Sequence, residues 1–180
     1  MPQVHHQSNG DTASNPIQLK TSGGEGAKAM EALLAELGRE DSGMQRWLLD
    51  AALSGLALTI DSRSPENRER AARAWDAIRP ILSHHLLSEE ETVLPWAERG
   101  DGFSPALASR IRDQHRKLRG IIERISSVAL ARDSNARVAK AGRALRDFAV
   151  CLDDLIAGEQ RELFPAVRRV LFRAAHKHTH

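Results

Sequence analysis

The feature that most restricts the fold of this 180-residue chain is an apolar seam, repeated four times, whose steps are of four or three residues. Met30, Leu34, Leu37, Asp41, Met44, Leu48 and Ala51 make the first seam, and Trp75, Ile78, Leu82, His85, Glu89, Val93 and Trp96 the second. Leu107, Ile111, His115, Leu118, Ile122 and Ile125 make the third; Ala141, Leu145, Phe148, Leu152, Leu155, Glu159, Leu163 and Val167 make the fourth. Such spacing keeps one stripe of an α-helix turned toward a neighbouring helix. Composition agrees, because Leu, Ala, Arg and Glu are good helix formers, and no segment alternates β-branched residues with period two.

Punctuation separates the four segments. Ser64-Pro65-Glu66 and Ser104-Pro105 read as helix starts, with Ser as N-cap and Pro in the first turn. Arg99-Gly100-Asp101-Gly102 reads as a turn, and Asp133-Ser134-Asn135 ends one helix and caps the next. The first helix is expected from Ala27 to about Leu58, the second to about Glu98 and the fourth to near Arg173. Pro80 predicts a kink or a split in the second. Short loops between long helices predict an all-α, antiparallel up-down-up-down four-helix bundle over residues 27–173. Residues 1–26, polar and rich in Gly, Ser, Asn and Thr, are expected to form a disordered N-terminal tail, and residues 174–180 a frayed C-terminal one.

Each seam is apolar except in one place. There the four helices carry Asp41, His85 with Glu89, His115, and Glu159. Charged groups are almost never buried without a partner or a cation, so one such interruption on every seam predicts a shared metal layer. His85 and Glu89, four residues apart, stack on one helix face. Two imidazoles and three carboxylates suit Fe, Mn or Zn better than Mg or Ca. By contrast, His84 points about 100° away from His85 and reads as surface. Glu90 and Glu91 read as a solvated face, and His5, His6, His176, His178 and His180 lie in the expected tails. Cys151, beside seam residue Leu152, reads as a packed core residue.

Other classes are disfavoured. The 26 basic residues barely exceed the 24 acidic ones, and no basic stripe with interleaved aromatics predicts nucleic-acid binding. No uncharged apolar run approaches the roughly 20 residues that span a bilayer, and no signal-peptide pattern precedes the helices. A single cysteine fits a reducing, cytoplasmic setting. No nucleophile constellation stands out, and enzyme status stays open.

HHLLSEEETVLPW in the second helix and LIAGEQRELFPAV in the fourth resemble the paired signatures of the hemerythrin-like (HHE cation-binding) family. His85, Glu89, Glu90, Val93, Leu94 and Pro95 follow the motif in the second helix, and Glu159, Leu163, Phe164 and Pro165 in the fourth. DQHRKL places His115 where the family's third-helix histidine belongs. The resemblance spans about residues 28 to 172 and implies a four-helix bundle with a di-iron site serving dioxygen binding, or iron, oxygen or nitric-oxide sensing and repair. His85, Glu89, His115 and Glu159 match that ligand set. Asp41, Leu155 and Arg119 stand where the resemblance implies histidines, and Gln160 stands opposite Glu90. These losses argue against reversible dioxygen carriage and for a reduced site holding one or two non-haem iron ions. Two alternatives stand beside it. One is a haem-binding bundle with His85 and His115 as axial ligands and Trp47, Trp75 and Trp96 lining the slot. The other is a metal-free interaction module whose polar layer is internally hydrogen-bonded.

Overall fold

A computed structural model describes residues 24–177. Four helical rods form the bundle. The first is α1 (Gly24–Ile60) and the third is α4 (Pro105–Ser126). The second joins α2 (Pro65–Ser88) to α3 (Leu94–Glu98), and the fourth joins α5 (Asn135–Gly158) to α6 (Phe164–Lys177). Each of these two joints is a single π-helical turn, Glu89–Val93 and Glu159–Leu163. The first rod packs against the second and the fourth, and the third packs against the fourth and, through α3, the second. The described residues contain no strand, and no helix among them is long and apolar enough to cross a membrane.

The start signals act as their chemistry requires. Ser64 Oγ accepts from the Asn67 N–H at 3.2 Å, and Ser104 Oγ from the Leu107 N–H at 3.4 Å. Ser134 stands at the N-cap of α5 with no side-chain cap bond. Arg68 instead ties the start of α2 to this connection, donating to the Asp133 carbonyl at 3.0 Å and to Asn135 Oδ1 at 2.6 Å. Pro80 lies inside α2 and does not split it. Pro80 and Asp76 are both exposed, so the Asp76 carbonyl, which loses its i+4 donor, lies on the side open to water. The helices run past their expected ends: α1 begins at Gly24, and α6 reaches Lys177 and includes His176. Residues 1–23 and 178–180 of the expected tails lie outside the described residues.

The core is two clusters, not one. Met30, Leu34, Leu37, Leu94, Ile111 and Val167 belong to the first. Met44, Leu82, Leu118, Phe148, Leu152 and Leu155 belong to the second, where Trp75 meets Phe148 edge-on with centroids 5.3 Å apart. Along every rod the polar interruption falls between these clusters. Two seam assignments shift. Ile121 is buried where Ile122 was expected, and Leu94 and Ala97 fill the core where Trp96 was expected. The second change follows the π turn, which adds a residue and rotates everything beyond it.

Rods one and four approach closely at a glycine pair. A Cβ on Gly55 would stand 2.5 Å from the Gly142 carbonyl oxygen, and one on Gly142 would stand 2.8 Å from that of Gly55. Gly142→Ala is therefore expected to destabilise the bundle by about 1–3 kcal/mol in urea unfolding, despite an intrinsic helix preference for Ala of about 1 kcal/mol. Unchanged or raised stability would contradict this close approach.

Candidate metal centre

Proline sets the local backbone at two of the four contributing positions. Pro95 and Pro165 lack an N–H, and their rings crowd the carbonyl four residues earlier. The turn before each proline is wider: the Leu94 N–H donates to the Glu89 carbonyl and the Phe164 N–H to that of Glu159, both across five residues. Each π turn opens on the glutamate that the seam sends inward. The motif E-x-x-x-[VL]-[LF]-P, present twice, carried this signal, but spacing alone did not reveal a π turn.

All five expected residues meet in one layer. Asp41, His85, Glu89, His115 and Glu159 are each 0% exposed. His85 Nε2 stands 3.3 Å from Glu159 Oε2, 3.5 Å from Asp41 Oδ1 and 3.7 Å from Glu89 Oε1. His115 Nε2 stands 3.1 Å from Glu89 Oε2 and 3.9 Å from Glu159 Oε1. Two overlapping triads result. Asp41, His85 and Glu159 bring ligand atoms within 4.8 Å of one another, as do Glu89, His115 and Glu159. Glu159 belongs to both.

The distal ring nitrogens are held by carboxylates that sequence reasoning had not assigned. His85 Nδ1 pairs with Glu40 Oε2 at 3.2 Å, and Glu40 Oε1 pairs with His84 Nδ1 at 2.9 Å. His115 Nδ1 pairs with Glu90 Oε1 at 2.9 Å, so Glu90 is no solvated bystander. Arg119 turns outward and binds Glu90 Oε2 at 2.7 Å, which removes the cation that an inward Arg119 would have set against a metal. Gln160 donates to Asp41 Oδ2 at 3.5 Å. His84 is more than half exposed, as expected. Leu155 packs in the apolar cluster beyond the layer, and Cys151 is a buried free thiol whose pKa burial pushes up. The tryptophans do not ring the layer. Trp75 and Trp96 pack with the two clusters on opposite sides of it, and Trp47 is partly exposed.

Five atoms in this layer lack a hydrogen-bond partner: Asp41 Oδ1, both carboxylate oxygens of Glu89, Glu159 Oε1 and His115 Nε2. Buried polar atoms are almost always satisfied, so five orphans from four residues facing one space fit a bound cation. Without one, protons must offset the charge. Burial, together with the Glu159 charge, raises Asp41 to about 7 and Glu89 to about 8. Burial opposes charge on the histidines, yet Glu159 and Glu40 lift His85 to about 11. Glu159 and Glu89 likewise lift His115 to about 9. Burial also works against ionised Glu159, but the flanking His115 and His85 hold it down at about 2.

Carboxylates and imidazoles converging in the core of a helical bundle are the arrangement in which helical carboxylate proteins hold metal ions. The model of the hemerythrin HHE cation binding domain matches residues 28–167, and the chain belongs to that family. Neither the comparison with curated proteins nor that with solved structures returned a significant match.

The raised values of Asp41, Glu89, His85 and His115 mean that the folded, metal-free protein binds more protons than the unfolded chain above the ordinary carboxylate range. Their contribution is present in mild acid and is lost as pH rises through about 7 to 11. The lowered value of Glu159 works in the opposite sense and is lost as pH falls toward about 2. The melting temperature of metal-free protein is therefore expected to peak near about pH 4 and to fall steadily by pH 9. A flat or rising profile over that interval would refute this assignment of protons.

Proposed function

We propose that this chain is a non-haem iron-binding protein that holds up to two iron ions in its polar layer, with Glu159 shared between them. The observation that carries the reading is the pair of triads meeting at Glu159, with the orphaned ligand atoms turned into the space between them. Each triad offers one imidazole and two carboxylates, a mixed nitrogen and oxygen set that suits iron and manganese better than calcium or magnesium. Iron would supply Lewis acidity and one-electron exchange there.

The chain's own residues prepare the site. Glu40 and Glu90 fix the two rings so that both Nε2 atoms face inward, and Arg119 offsets the charge of Glu90. Gln160 orients Asp41, and the two apolar clusters close the layer from above and below. Three carboxylates against two neutral imidazoles make an anionic shell, which favours the more highly charged ferric ion. That bias supports a role in oxygen, nitric-oxide, redox or iron sensing and handling rather than dioxygen transport, and the single free cysteine fits a reducing cytoplasmic setting. Haem ligation by His85 and His115 would require Glu89 and Glu159 to leave the space that both rings face. The geometry therefore favours the non-haem reading.

Protein purified anaerobically with ferrous iron is expected to retain metal and to melt at a higher temperature than the metal-free form. Less than about 0.2 iron per chain with no melting shift would refute the reading, as would a saturable Soret band lost in His85→Ala. Glu159→Gln is expected to reduce binding at both positions together, whereas Asp41→Asn should spare the His115 triad. Glu90→Gln should weaken metal binding by about 10-fold or more through the His115 ring. These variants are compared by elemental analysis and competitive titration.

A further inference from the structure

Outside the polar layer, the clearest break from an amphipathic pattern lies on α1. Leu49, Leu53, Leu56 and Ile60 follow steps of four, three and four, the spacing of the seams inside the bundle. At about 100° per residue they form one stripe, nearly opposite the Met44, Leu48, Ala51 and Leu58 stripe that α1 buries. They are 68%, 43%, 42% and 78% exposed, so the rods packed against α1 leave this second seam to solvent.

The chemistry of the stripe selects its occupant. The four side chains expose roughly 400 Å² of apolar surface, as much as the largest patch on a typical monomer, and such patches mark protein contacts. Their flanks are Ala52, Ala57 and Thr59, small and uncharged, and Asp50, which Arg70 holds at 2.6 Å. A face that meets its own copy must bring no unpaired like charges together, and this one brings none. Between Arg46 and Arg63 the chain has no Lys or Arg. The stripe therefore lacks the cationic border that holds an amphipathic helix on a lipid surface.

The spacing is also symmetric. Four, three, four reads the same in both directions, so two antiparallel copies match Leu49 to Ile60 and Leu53 to Leu56. The two-fold axis then passes level with the midpoint between Ser54 and Gly55. Arg46 of one copy lies on the same flank as Asp61 of the other, offset by about 3 Å along the helix axis. Opposite charges thus close both ends of the contact, whereas parallel copies would set each Arg46 level with the other.

We infer that this stripe is the contact of a homodimer in which two copies of α1 pack antiparallel. With its flanks, the paired face buries about 1,000 Å², at the lower end for a specific interface, so association is weak and concentration-dependent. No stripe residue belongs to the polar layer, so the inference is independent of metal binding.

The test uses the full chain in sedimentation velocity from about 1 to 200 μM, where passage from monomer to dimer is expected. Leu53→Glu/Leu56→Glu sets like charges against each other at the centre of the contact and is expected to weaken association by about tenfold or more. Both positions face solvent, so helical content should be unchanged; Leu49→Gln/Ile60→Gln replaces the pair if it fails to fold. Orientation is read by disulfide cross-linking, which leaves the buried Cys151 aside. Mixed Leu49→Cys and Ile60→Cys chains are expected to link to one another, and Leu49→Cys alone is not. A chain that stays monomeric throughout, with or without binding to phosphatidylglycerol vesicles, would overturn the proposal. So would a dimer indifferent to both sets of variants, or a Leu49→Cys chain linked to itself.

Discussion

Mutual compensation of charge among five fully buried polar side chains is the constraint on which the rest of this bundle depends. Asp41, His85, Glu89, His115 and Glu159 lie where an ordinary bundle would carry leucine, and they divide the core into two apolar clusters. An isolated buried carboxylate is too costly to persist in ionised form. Each must therefore meet an imidazole, a proton or a cation. Helix phase, loop length and the tilt of the rods have to deliver all five to one level, and the apolar clusters on either side hold that level in register.

Two backbone irregularities serve this delivery. Glu89 and Glu159 each open a π turn that ends just before a proline, on rods two and four. A regular helix through Pro95 or Pro165 would set a proline ring against a carbonyl, so the turn widens instead. The same sequence device, used twice, places two glutamates at equivalent points of two different rods. It also explains why the core beyond Glu89 passes from Val93 to Leu94 and Ala97 rather than to Trp96.

The departures from the family's histidines gain physical meaning in three dimensions. Asp41 keeps its place in the layer as an oxygen donor with Gln160 beside it. Leu155 extends the apolar cluster and offers no donor. Arg119 lies outside, where its charge offsets Glu90. The set is nearly symmetric: one imidazole and one carboxylate on each side of the shared Glu159. Carboxylates thus outnumber imidazoles three to two in the layer.

Much of this was readable from residues alone. Steps of four and three residues determine which face of each helix is buried, and a Ser-Pro start determines where two helices begin, because both are local properties of an α-helix. Polar interruptions at one place on every seam therefore named all five residues of the layer. What lay beyond sequence was every relation between residues on different rods. Glu90 read as solvated because its helix phase points away from the seam, yet His115 on a neighbouring rod lies 2.9 Å away. Glu40 went unassigned for the same reason, and Arg119 had no side to choose until Glu90 stood beside it. Periodicity determined that a polar layer exists; only the packing of four rods decided that Glu159 belongs to both halves of it. A helical period specifies direction around one axis, whereas ligand distances depend on the separation between several.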